Sequence, residues 1–121
     1  MAKSHVHGAA FRSVLRLFAL FGHPVRVVIF QRLARVPMTA SELARGLPIS
    51  RTAVVQHLKQ LEAARLVDAS PDGRKRIYRI RPKGLVPLDQ WARQYLDEAA
   101  PASHRTKVLY RSRAARGKTG S

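Results

Sequence analysis

The chain has 121 residues, which suits one domain of ordinary size with a single core. Its 23 Lys and Arg stand against 7 Asp and Glu, for a formal charge of +16. Such an excess costs self-repulsion that a polyanion relieves, so nucleic acid is the first candidate partner and an anionic membrane surface the second. The lack of cysteine excludes disulfides, thiolate zinc sites and a cysteine nucleophile, and it fits a reducing cytoplasm.

Residues 1–8 read as a flexible N-terminal arm. His5 and His7 within it fall short of a metal ligand set. No long apolar run opens the chain, so neither a signal peptide nor a membrane span is expected. From Ala9 to Phe21 the residues Phe11, Val14, Leu15, Phe18 and Phe21 recur at helical spacing, and Leu17 and Leu20 widen that face. A helix apolar over so much of its girth requires more than one neighbour. It is either deeply buried or shared with a second copy, and the second is favoured because a small domain has little core in which to hide it. Gly22 is expected to close this helix in a left-handed conformation, and Pro24 suits the first turn of the next. Val25, Val28, Ile29 and Leu33 mark that second helix to about Ala34, with Arg26, Arg32 and Arg35 on or near its wet side.

Val36-Pro37-Met38 breaks the helix. Thr39-x-x-Glu42 is a capping box for a short third helix that ends near Gly46, with Leu43 and Leu47 inward. Leu47-Pro48-Ile49 is a turn. Ser50 is a good N-cap for a fourth helix running from Arg51 to about Ala64. Ala53, Val54, Leu58 and Leu61 form its apolar face, and Arg51, Thr52, Val55, Gln56 and Lys59 point outward. Cations, an amide, a hydroxyl and one small apolar group are what a helix needs to read base edges in a major groove. Helix, short turn and capped helix with an outward polar face is the helix-turn-helix pattern.

Leu66 to Ile80 reads as a β-hairpin, turning over Pro71-Asp72-Gly73-Arg74. Its second strand, Lys75 to Ile80, does not divide cleanly into two faces. The tip presents Arg74, Lys75 and Arg76 in succession; a solvated turn is the plain reading, and contact with phosphate or a minor groove is preferred because the tip follows directly on the reading helix. Pro82 to Pro87 is a connector. Leu88, Trp91, Ala92, Tyr95 and Leu96 then make a last helix to about Ala99, with Trp91 and Tyr95 either in the core or at a dimer seam. Residues 100–121 carry Arg105, Lys107, Arg111, Arg113, Arg116 and Lys118 with no acid, and read as a disordered basic tail. The folded domain is therefore expected at residues 9–99.

Taken in order, Gly-His-Pro-Val-Arg at 22–26, Thr-x-x-Glu-Leu-Ala at 39–44, Ser-x-x-Ala-Val-x-Gln-His-Leu-Lys-x-Leu at 50–61 and the Gly-Arg-x-x-x-Tyr-x-Ile hairpin at 73–80 resemble the ArsR/SmtB family of winged helix-turn-helix repressors. The resemblance covers about residues 11–98. It implies a mainly α fold with a small β-hairpin wing, and a homodimer sealed by the first and last helices. Phe11, Leu15, Phe18, Leu88, Trp91 and Tyr95 are the expected seam residues. It further implies paired reading helices on a palindromic operator. Arg51, Thr52, Val55 and Gln56 stand at the base-reading positions. Val55 sits where relatives often carry Ser, so readout there is expected to be apolar, such as contact with a thymine methyl. His57 matches a common family residue and is expected to lie partly against the core or to reach a phosphate. Ser50, Lys59, Arg74, Lys75 and Arg76 are the expected phosphate and wing contacts, and Arg26 is a further candidate.

The departure from the family is the sensor. Relatives place cysteines in the third helix, where this chain has Met38-Thr39-Ala40-Ser41-Glu42-Leu43. Others pair His with carboxylates on the last helix; here Asp89, Asp97 and Glu98 have no His at useful spacing. No metal site and no cofactor are expected. The leading reading is a cytoplasmic, sequence-specific transcriptional regulator, acting as a repressor on double-stranded DNA. A non-specific architectural DNA-binding protein and a helix-turn-helix module used for protein contact are the alternatives. An enzyme is not expected, because no nucleophile–base pair, carboxylate dyad or phosphate loop stands out.

Overall fold

Side-chain caps mark where three of the helices begin. The computed structural model describes residues 8–98. The elements are α1 (Ala9–Phe21), α2 (Pro24–Arg35), α3 (Ala40–Arg45), α4 (Arg51–Ala63), β1 (Val67–Asp72), β2 (Lys75–Ile80), a 3-10 turn at Pro82–Leu85 and α5 (Val86–Glu98). The expected basic tail, and all but the last residue of the N-terminal arm, lie outside the described residues. Two units divide the chain between Leu88 and Asp89, with the first turn of α5 in one and its remainder in the other.

The Thr39 hydroxyl accepts from the Glu42 N–H at 3.1 Å, and the Glu42 carboxylate accepts from the Thr39 N–H at 2.8 Å, so the capping box is complete. Bonds from the Thr39 backbone and hydroxyl hold the Glu42 carboxyl below its ordinary pKa. Ser50 caps α4 by accepting from the Ala53 N–H at 3.1 Å. An unexpected cap opens α2, where His23 Nδ1 accepts from the Val25 N–H at 3.3 Å just ahead of Pro24.

Gly22 does not adopt the expected left-handed conformation. Its φ of −75° and ψ of −8° are right-handed, and α1 and α2 meet at a bend of 97°. The helix end that does use the left-handed region belongs to α4, at Arg65 with φ 61°. There the Leu66 N–H reaches back to the Leu61 carbonyl and the Arg65 N–H to the Glu62 carbonyl, both at 2.9 Å, which is the Schellman pattern. Leu61 and Leu66, whose contact accompanies that pattern, are both fully buried. Glycine is the usual residue at this position; an L side chain in the left-handed region costs about 1–2 kcal/mol.

Ile29, Leu43, Val54, Leu58, Leu61 and Leu66 are fully buried and make one core with Leu17, Leu20, Leu33 and Val67. Each such side chain is worth roughly 1.5–3 kcal/mol against exposure. The broad apolar face of α1 is divided between two environments. Val14, Leu17 and Leu20 face inward, whereas Leu15 and Phe18 remain 47% and 42% exposed. The stripe that meets the core is thus rotated from the one its aromatic residues suggest.

The hairpin pairs Val67 with Ile80 through Asp72 with Lys75. Its two-residue turn is Gly73-Arg74, one position later than an Asp-Gly centre, with Gly73 at φ 64°. Pro71 and Asp72 therefore belong to β1 rather than to the turn. Proline is accepted there because both strands of a two-stranded sheet are edges. In β2 only Tyr78 is buried, while Ile77 and Ile80 are half-buried. The Tyr78 backbone also exchanges hydrogen bonds with Met38, at 2.8 and 3.1 Å, which ties the base of the wing to the segment before α3. No single described helix is long and apolar enough to cross a membrane.

Candidate nucleic-acid interface

The tight link from α3 to α4 and the anchoring of β2 at Met38 place three things side by side: the opening of α3, the first turn of α4 and the hairpin tip. Between them lies a groove of about 360 Å³. Arg45, Arg51, Arg74, Lys75 and Arg76 line it, with Ser41 and Tyr78. Its one acid is Glu42, whose carboxylate already accepts the Thr39 N–H. The result is a concave, cationic surface at the N-terminal end of α4, where the helix dipole adds to the positive potential.

Two of these five cations are held in place. Arg51 Nε donates to the Ser41 hydroxyl at 3.1 Å, which fixes the root of its guanidinium. Arg76 pairs with Glu62 at 3.3 Å and lies over the Tyr78 ring, 5.9 Å from its centroid. Ser41 and Arg45 are lining residues that sequence reading missed. They belong to α3, and nothing in their spacing shows that the wing will fold back towards them.

Thr52, Gln56 and Lys59 are exposed on α4 beside Arg51, and Ser50 is exposed with its hydroxyl committed to the cap. Val55 is half-buried and packs against the core, so it presents only part of its side chain outward. His57 is half-buried too. Its Nδ1 accepts from Arg26 Nε at 3.3 Å, and its ring meets that of His23 edge-on, 4.6 Å between centroids. Burial, followed by the nearby charges of His23 and Arg26, pushes its pKa below the ordinary histidine value. Arg26 is itself half-buried, with Nη1 at 3.5 Å from the Leu20 carbonyl. Two arginines read as wet thus tie elements together, since Arg32 Nη2 also donates to the Gly46 carbonyl at 2.8 Å.

Of the apolar residues expected at a seam, Leu15, Phe18 and Tyr95 are exposed, Phe11 and Trp91 are half-exposed, and Leu88 packs against the protomer's own core. Trp91 and Tyr95 stand ring to ring on α5, 5.1 Å between centroids. Among the described residues no group of three His, Asp or Glu is placed to hold a metal ion.

A two-helix reader, a wing and a cationic groove between them define a winged helix-turn-helix DNA-binding module. Comparison with known proteins gives the family. Residues 21–68 match the family described as a helix-turn-helix domain. The chain is 45% identical over 80 residues to the HTH-type transcriptional regulator Rv2034 of Mycobacterium tuberculosis, covering 66% of this chain and 75% of that one. It is similar to a crystal structure of a possible transcriptional regulator for arsenical resistance (36% identity, TM-score 0.60, 64% and 81% of the two chains). It is also similar to an ArsR-like transcriptional regulator from Rhodococcus sp. RHA1 (28%, TM-score 0.61, 94% and 97%). The chain belongs to the ArsR family of winged helix-turn-helix transcriptional regulators.

Proposed function

We propose that this protein is a sequence-specific repressor that binds a palindromic operator as a homodimer. The observation that carries the reading is the groove at the N-terminal end of α4, cationic on both the helix side and the wing side. In this reading Arg51, Thr52 and Gln56 meet base edges, with Val55 adding a small apolar contact. Ser50, Lys59, Arg74, Lys75 and Arg76 meet phosphate, which positions the reader without specifying sequence. The seam uses the outward face of α1 at Phe11, Leu15 and Phe18 together with Trp91 and Tyr95 of α5, and Leu88 supports it from within the protomer. A solved relative is described as a homodimeric winged helix-turn-helix DNA-binding domain, which supports the same arrangement here. The protein works in the cytoplasm and sits on the nucleoid when bound. Residues 9–99 act as the DNA-binding and dimerisation domain, flanked by the arm and the basic tail.

Titration of duplex from the chain's own promoter against random duplex, at fixed salt, tests this. A marked preference for the promoter duplex is expected; equal affinity for both sinks the reading. Arg74→Ala or Lys75→Ala should weaken both duplexes alike and lower the salt slope by about 1 each. The net charge of +16 favours the architectural alternative. That alternative requires Gln56→Ala to leave binding unchanged and deletion of residues 100–121 to abolish it.

A further inference from the structure

A second cationic recess lies at the other end of α4, and we infer that it is a binding site for a compact organic anion carrying two or more negative charges, whose occupancy regulates DNA binding. The recess is a cavity of about 280 Å³ lined by Ser13, Arg16 and Leu17 of α1, by Arg65 just past α4, and by Arg81 and Lys83 after β2. Ala64, Gly84 and Pro87 complete the wall, so four of its nine residues are cations and none is a carboxylate. Arg81 reaches Asp68 at 3.6 Å. Arg16, Arg65 and Lys83 have no ion-pair partner among the described residues. These three residues are exposed, and an anion seated among them would be attracted by all three while lessening their mutual repulsion.

The wall is built by close backbone approach. Gly84 stands so near that a Cβ there would lie 2.4 Å from the Arg65 carbonyl oxygen, and the Arg81 N–H donates to the Leu66 carbonyl at 2.7 Å. Arg65 holds φ 61° at the position of the helix end where glycine is least strained. The volume falls just under the usual small-molecule range of about 300–1,000 Å³, which suits a small dicarboxylate or phosphate ester. DNA base edges are disfavoured as the occupant, because Arg51 at the start of α4 lies about 20 Å along the helix axis from Arg65.

The regulatory half rests on the proposed repressor function. An anion here bridges α1, the end of the reading helix and the exit from the wing, so it biases how the reader is held within the dimer. Anion binding by itself is independent of that reading and can be measured without DNA.

Calorimetric titration of the full chain with citrate and with inorganic phosphate, at constant ionic strength set by chloride, tests the site and separates the two chemistries; glycerol is the neutral control. Saturable binding of at least one anion is expected. Arg65→Gly should bind it at least tenfold more weakly while melting higher than the parent, so misfolding does not explain the loss. Arg16→Gln should weaken binding similarly, and Arg74→Ala should leave it unchanged. Binding that survives both cavity variants, or that is lost in Arg74→Ala, overturns the site. A saturating anion that leaves affinity for random and promoter duplex unaltered overturns the regulatory role alone.

Discussion

The two ends of α4 carry similar charge and are built in opposite ways. At the N-terminal end every local feature agrees: Ser50 caps the helix, Arg51 is steadied by Ser41, and the groove's acid is already occupied. At the C-terminal end the backbone is closed by a Schellman turn, yet its left-handed residue is an arginine. The first end gains order from its hydrogen bonds. The second keeps Arg16, Arg65 and Lys83, which have no ion-pair partner among the described residues, beside a left-handed Arg65 backbone. Charge and ion pairing do not separate the two surfaces, since Arg45, Arg74 and Lys75 of the groove also lack an ion-pair partner among the described residues; what differs is the backbone at each helix end, a Ser50 cap against a left-handed Arg65.

The largest effect should come from the buried hinge of this contrast. Leu61→Ala removes the apolar contact that seals the C-terminal end and should cost about 2–5 kcal/mol, read by chemical denaturation. If the loss is small, the Schellman turn is not what anchors Arg65. Gln56→Ala should leave the melting temperature in place and cost about 1–3 kcal/mol of discrimination between promoter and random duplex. Equal discrimination in parent and variant would move base reading off this face.

The caps offer a test with opposite signs. Ser50→Ala should destabilise by about 1 kcal/mol, since it leaves an N–H of the first turn without its acceptor. Arg65→Gly should stabilise by about 1–2 kcal/mol by relieving the left-handed strain. A pair of thermal melts decides both, and two changes of the same sign would contradict the picture.

The smallest effect concerns pH. His57 has a folded pKa below its unfolded value, so the unfolded chain binds its proton more readily. Stability is therefore undiminished by this group above about pH 6.5, the ordinary histidine value. It falls as pH drops below that and through the folded value. Melting temperatures at pH 7.5 and 5.5 should differ less in His57→Gln than in the parent. Glu42, held low by Thr39, also loses stability in acid, but it does so below its own unfolded value and in both proteins alike.

Much of this was legible locally. The capping box at Thr39 and Glu42, the Ser50 cap and the apolar stripe Val54, Leu58 and Leu61 are interactions within one or two turns, and residue order specifies them directly. Reading was poorer where the decisive neighbour is distant in sequence. Gly22 does not take the left-handed conformation expected of it, and Arg65, of which it was not expected, does so where the Schellman bonds and the buried Leu61 and Leu66 close the end of α4. Leu15 and Phe18 fit the apolar period of α1 as well as Leu17 and Leu20 do, and only the position of the core separates them. Ser41 and Arg45 joined the groove once the wing was anchored at Met38.

Residue order by itself determined the helices, the wing, the outward polar face of α4 and the family, since these follow from periodicity, capping and motif spacing along short stretches of chain. Tertiary structure alone decided which arginines brace the fold, as Arg26 and Arg32 do, and which gather around a hollow, as Arg16, Arg65 and Lys83 do. A charge has no direction in a sequence. It acquires one only when packing sets the distance to its partners.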